Sequence, residues 1–144
     1  MDAEDKIQSW IDGLEQFDLW QSVCDFYKEN EQELVEMNKA QMRNKMMPDG
    51  QPILVPGAVN PYDLYRTGAF YSGLHIETTD EQIIFTSSDP KWLGEVPPQP
   101  NFIMSMTPLL DWFGMVLGIP TDKEEEVDNR RNTSVSGAFR AIFD

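Results

Sequence analysis

Cys24 and His75 are the only cysteine and the only histidine of a 144-residue chain, so together they form the one thiol–imidazole pair it can offer. In such a pair the imidazole takes the thiol proton and leaves a nucleophile. Cys24, however, stands between Val23 and Phe26-Tyr27 on the apolar side of a helical pattern. A packed, inert thiol is expected there. His75 alternates with Leu74 and Ile76, which places it on the opposite, exposed face of a strand. One cysteine allows neither an internal disulfide nor a thiolate metal site, and one histidine allows no His cluster.

Carboxylates are the remaining chemical resource. The stretches TDEQ, SSDPK and DKEEEVD carry them without the glycine and terminal Glu of an EF-hand. A pair at glycosidase separation is set by the fold, so spacing along the chain leaves it open. Gly57, Gly68, Gly73 and Gly94 match neither a P-loop nor a dinucleotide fingerprint. We therefore expect no catalytic residue, no metal and no cofactor.

The segment NPYDLYRTGAFYSGLHIE, residues 60–77, gathers Tyr62, Tyr65, Phe70 and Tyr71 around Arg66-Thr67-Gly68. Two readings compete: a binding loop with aromatic walls, and a joint that fixes geometry. With no catalytic constellation beside it, the joint is expected. Gly68 permits close backbone approach and the rings lock the turn. Arg66, the one positive charge between Lys45 and Lys91, is a candidate to pair with an acidic neighbouring subunit.

Charge narrows the function classes. Eleven basic against 25 acidic residues give −14, which opposes phosphate-driven nucleic-acid binding. The basic candidates, Lys39, Arg43 and Lys45 and the pair Arg130-Arg131, form no impressive patch. Residues 1–38 hold eleven acids and only Lys6 and Lys28, 2 − 11 = −9. That excess is read either as a solvated face or as an acidic flank for a basic partner. No apolar run approaches the roughly 20 residues of a membrane span, and no apolar leader opens the chain. A soluble protein of a reducing compartment is expected.

These residues must be positioned by a few elements. Ile7, Trp10, Ile11, Leu14 and Phe17, then Trp20, Val23, Cys24 and Tyr27, then Leu34, Val35, Asn38 and Met42 recur at three and four residues. The spacing predicts helices over about 4–16 and 19–46, with Asp18 capping the second. Pro48-Asp49-Gly50 and Pro52, Pro56 and Pro61 mark 46–61 as loop. A short helix around Gly68 should lead into a β-hairpin, Leu74 and Ile76 alternating, a turn at Thr79-Asp80-Glu81, and Ile83-Ile84-Phe85 returning. Residues 97–108 read as a second proline-rich loop, before the short apolar helix LLDWFGMVLGI.

The expected fold class is α+β: two N-terminal helices on a small antiparallel hairpin, a short C-terminal apolar helix and an extended tail. Residues 1–120 form one domain, and 121–144 an acidic, then apolar, arm ending in Phe139, Ile142 and Phe143. Such an arm docks either on a neighbouring subunit or on its own domain.

Several stretches taken in order carry a resemblance. They are Asp18-Leu19, the Asn38-x-x-Gln41 spacing, Asp49-Gly50, Asp63-Leu64 with Thr67-Gly68 and Phe70-Tyr71, and Ser87-Ser88-Asp89 with Lys91 and Leu93. Over residues 7–93 the chain resembles small virion structural proteins of tailed phages and prophages of Bacteroidetes-type hosts. These include virion-morphogenesis, tail-completion and head–tail connector proteins. The resemblance implies a non-enzymatic virion subunit that assembles as a ring at the phage neck. Its partners would be further copies of itself and portal, connector or tail proteins, with no sequence-specific nucleic acid and no membrane. Tyr65, Arg66, Thr67, Gly68 and Phe70, with Phe139, Ile142 and Phe143, are the candidate architectural or inter-subunit residues. The competing expectation is an acidic adaptor or inhibitor that captures a basic partner surface.

Overall fold

The computed structural model describes residues 2–54, 68–93 and 116–144. Its first helix, α1 (Ala3–Gln16), begins where the Asp2 carboxylate accepts the Asp5 backbone N–H at 2.8 Å. Glu4 and Asp5 add negative charge at the positive end of the helix. The chain turns extended at Phe17, and Asp18 starts α2 (Leu19–Glu29) by accepting from the Gln21 N–H at 3.0 Å.

The single helix expected over 19–46 is in fact two, α2 and α3 (Glu31–Arg43). Asn30 is the reason. Its side-chain amide donates to the Phe26 carbonyl at 2.8 Å, competing with the helical ladder, and its own carbonyl then accepts from the Leu34 N–H. Beyond α3, Lys45 adopts a left-handed φ of 61° and a tight turn returns the chain, so that Met46 bridges Pro52.

Gly68 has φ 86° and ψ −9°, a left-handed conformation that a side chain would strain. It opens the single turn of α4 (Ala69–Ser72). The hairpin follows as expected: β1 (Leu74–Thr78) pairs antiparallel with β2 (Ile83–Ser87), Ile76 opposite Phe85. Thr79 Oγ1 accepts the Glu81 and Gln82 N–H groups and closes its turn. The short helix α5 (Pro90–Leu93) comes next.

The helix expected over LLDWFGMVLGI falls mostly outside the described residues; its described end, 116–118, is a bend. The tail departs from expectation. Instead of an extended arm it forms α6 (Glu124–Arg140), followed by a 3-10 turn over Ala141–Phe143. Glu124, Glu125 and Glu126 occupy its first turn, where negative charge favours a helix. Packing then holds it: Val127 is fully buried beside Phe26, Tyr27, Leu34, Val35 and Ile76. Of the two docking modes, this one is intramolecular.

The fold is α+β, with helices around a two-stranded antiparallel sheet. Two apolar clusters form its core. Met42, Ile53, Phe70, Tyr71, Trp92 and Val116 make one, and the Val127 cluster makes the other. Leu74 of β1 packs against both.

Candidate functional site

Cys24 and His75 do not make a catalytic pair. Cys24 is buried with its Sγ 4.0 Å from the Thr79 carbonyl oxygen. Both ring nitrogens of His75 are engaged elsewhere: Nδ1 donates to the Gly73 carbonyl at 2.8 Å, and Nε2 lies 3.0 Å from Glu77 Oε1. The Gly73 carbonyl first, then Glu77, favours the imidazolium and raises this pKa above its ordinary value. Among the described residues no group of three or more His, Cys, Asp or Glu is placed to hold a metal ion.

Of the aromatic joint, Tyr65, Arg66 and Thr67 lie outside the described residues. Phe70 is 5% exposed, its ring 5.1 Å from Trp92 and 6.3 Å from Tyr71. It therefore serves the core and presents no surface to a neighbour. Ser87 ties the joint to the sheet, its hydroxyl donating to the Phe70 carbonyl at 3.0 Å.

Asn38 and Gln41 acquire a role that helical spacing did not reveal. Both are buried on α3. Asn38 Nδ2 donates to Gln41 Oε1 at 2.8 Å and to the Val116 carbonyl at 2.9 Å, while its Oδ1 accepts the Gly118 N–H at 3.2 Å. Gln41 Nε2 donates to the carbonyls of Met46 and Val116. Two side chains thus satisfy the backbone of a segment 75 to 80 residues away, which burial demands. Periodicity placed Asn38 among apolar positions; its polarity was the only sequence signal of this work. Near it, Met37, Ala40, Met46, Met47, Pro48 and Pro120 line an open cleft.

A second polar arrangement holds the hairpin edge. Glu31 Oε2 accepts the Ile76 N–H at 2.8 Å and pairs with Lys28 at 2.9 Å, and Lys28 Nζ donates to the Ile76 carbonyl at 2.8 Å. The ion pair replaces a third strand at that residue, blocking the edge of β1. Between α6 and the start of α3, Arg130 grips Glu33 through both terminal guanidinium nitrogens, at 2.8 and 2.7 Å, and reaches Asn30 at 2.9 Å. That grip comes first in holding the Glu33 carboxyl below its usual range.

The remaining feature is an exposed apolar face. No residue of α1 is buried. Phe17 meets Phe139 edge-on at 5.6 Å, Trp10 meets Phe143 at 5.7 Å, and Phe139 meets Phe143 at 5.5 Å. Ile142 packs so closely on Gly13 that a Cβ there would stand 2.5 Å from its Cγ2. Beside this seam Ile7, Ile11 and Leu14 stay 51%, 42% and 44% exposed, and Phe139 and Phe143 remain 43% and 38% exposed. With Leu19 at 61%, they are six of the eight exposed large apolar side chains among the described residues, the others being Met46 and Leu54. Clustered apolar exposure of this kind differs from the scattered single exposures ordinary to a protein surface.

No described helix is long and apolar enough to cross a membrane. No family model, curated protein or solved structure matches this chain.

Proposed function

We propose that this chain is a structural subunit of a tailed-phage virion at the head–tail junction, acting through protein contacts rather than chemistry. The observation that carries the assembly role is the apolar face of α1 and the chain's end beyond it, where five large side chains, Ile7, Ile11, Leu14, Phe139 and Phe143, stay exposed. The resemblance over residues 7–93 supplies the setting. In a ring, weak contacts repeated around the axis become multivalent and therefore strong. The −14 charge suits a ring that DNA passes through, since like charge keeps phosphates from adhering.

Mass spectrometry of purified virions tests this reading, together with light scattering of the protein alone and with portal protein. Recovery in the particle and a ring-sized species are expected. Absence from the particle would remove the proposal. The acid around α1 favours one second reading, an adaptor that captures a basic protein. It predicts stoichiometric binding to a host protein without any virion.

A further inference from the structure

Ile7, Ile11 and Leu14 follow one another at four and then three residues, the spacing of a coiled-coil seam. The same spacing continues to Glu4, whereas Asp18 lies past the extended Phe17 and caps α2, so within α1 a carboxylate closes the apolar stripe at its N-terminal end. Glu15 flanks the seam directly after Leu14. Lys6, the one cation between residues 2 and 18, lies 5.8 Å over the Trp10 ring, on the side packed by the end of α6.

This layout selects among occupants. A second copy lying parallel would set Glu4 against Glu4 and Glu15 against Glu15. Lying antiparallel, it would set Glu4 against Glu15. Either way carboxylates meet carboxylates with no cation in the seam, an arrangement that repels. A helix with an apolar ridge of the same spacing and Lys or Arg at one end and on its flank meets complementary charge at each of those positions. Phe139 and Phe143 extend the apolar surface on the α6 side through their contacts with Phe17 and Trp10.

We infer that the Ile7–Ile11–Leu14 face of α1 receives a basic amphipathic helix from a different protein, and not a second copy of this chain. The inference rests on the assembly reading above and names the kind of partner. Any ring closure between copies then uses another face.

The test uses the full chain and two synthetic amphipathic helices with leucine at three–four spacing, one flanked by lysine and one by glutamate. Fluorescence anisotropy should show binding of the Leu/Lys peptide and none of the Leu/Glu peptide. The double substitution Ile11→Gln/Leu14→Gln, at exposed positions, should weaken binding about tenfold or more. Glu124→Gln/Glu125→Gln, which removes acid at the far end of α6, should leave it within about twofold, on the screening of distant charges. Thermal melts by circular dichroism confirm that the variants remain folded.

Unchanged binding by the seam variant would overturn the inference, because the peptide would then be reading bulk negative charge. Equal binding of the Leu/Glu peptide would also overturn it. So would a dimer by light scattering that Ile11→Gln converts to monomer, since a second copy would then be the occupant. The two proposals fail separately. A virion protein whose seam binds no peptide refutes only this inference, and a peptide-binding protein absent from virions refutes only the setting.

Discussion

The Glu31 carboxylate accepts the backbone N–H of Ile76 at 2.8 Å, so a helix side chain fills the place of a neighbouring strand along β1. Glu31→Ala leaves that N–H without its partner and Lys28 without its counter-ion. A loss of about 1–2 kcal/mol is expected from the unsatisfied donor. Glu31→Gln, which keeps an acceptor oxygen, should lose less. Urea denaturation of the two variants measures the difference, and equal losses would show that the hydrogen bond contributes nothing beyond charge.

Stability should have two pH limbs. Burial by itself raises the Glu31 carboxyl, but hydrogen bonds from Lys28 and the Ile76 N–H outweigh it and hold it below its ordinary 4.5. Its contribution is therefore complete above 4.5 and is lost as pH falls through the lower folded value. His75 runs the other way. Its folded pKa lies above 6.5, so its contribution is complete below 6.5 and is lost as pH rises through the folded value. As the chain's only histidine, His75 gives an unambiguous imidazole NMR titration. A midpoint at or below 6.5 would contradict the Gly73 and Glu77 contacts.

Asn38→Leu fills a similar volume but strands the Gly118 N–H and the Gln41 Oε1, while the Val116 carbonyl keeps its Gln41 donor. We expect a loss of about 2–4 kcal/mol, from two buried groups at the usual penalty each. Hydrogen exchange at the Gly118 amide should accelerate at the same time. A stable variant with a protected Gly118 would show that another group can take over the clasp.

Val127 tests the intramolecular docking of α6. Removing two methyl groups from a fully buried site should cost about 2 kcal/mol, transfer plus residual cavity. An arm awaiting a neighbour would tolerate Val127→Ala without change. Chemical denaturation of the isolated protein decides between them.

Gly13→Ala sets two effects against each other. Alanine favours the helix by about 1 kcal/mol, but its methyl occupies the space of Ile142 Cγ2. Ile142 sits in a short turn with exposed residues on either side, so it should move away rather than unfold α1. The expected signature is faster hydrogen exchange over residues 141–143 and altered Trp10 fluorescence, with the overall melting temperature nearly unchanged. Undisturbed exchange over 141–143 would mean that the contact does not hold the turn.

The elements legible in the sequence are those encoded by neighbours. Asp2 and Asp18 cap helices within three residues of themselves, and Thr79 closes a hairpin whose strands alternate as read. The apolar α1 face was equally visible as a three–four repeat, though core was its default reading. Less legible were features set by distant partners. Asn30 breaks the second helix through its own amide, a competition that apolar spacing does not register. Residues 124–140 are too polar to announce a packed helix, and distant partners draw them onto α2 and α3, Val127 by burial and Arg130 by its grip on Glu33 across 97 residues.

The sequence by itself determined the caps, the hairpin and the amphipathic faces, because those depend on groups a few residues apart. Tertiary structure decided which faces found cover. Asn38 became a clasp because Val116 and Gly118 arrived beside it, while Ile7, Ile11 and Leu14 stayed exposed because the turn after α6 covers only the Gly13 side of α1. Burial depends on what long-range packing brings near, and no local pattern contains that information.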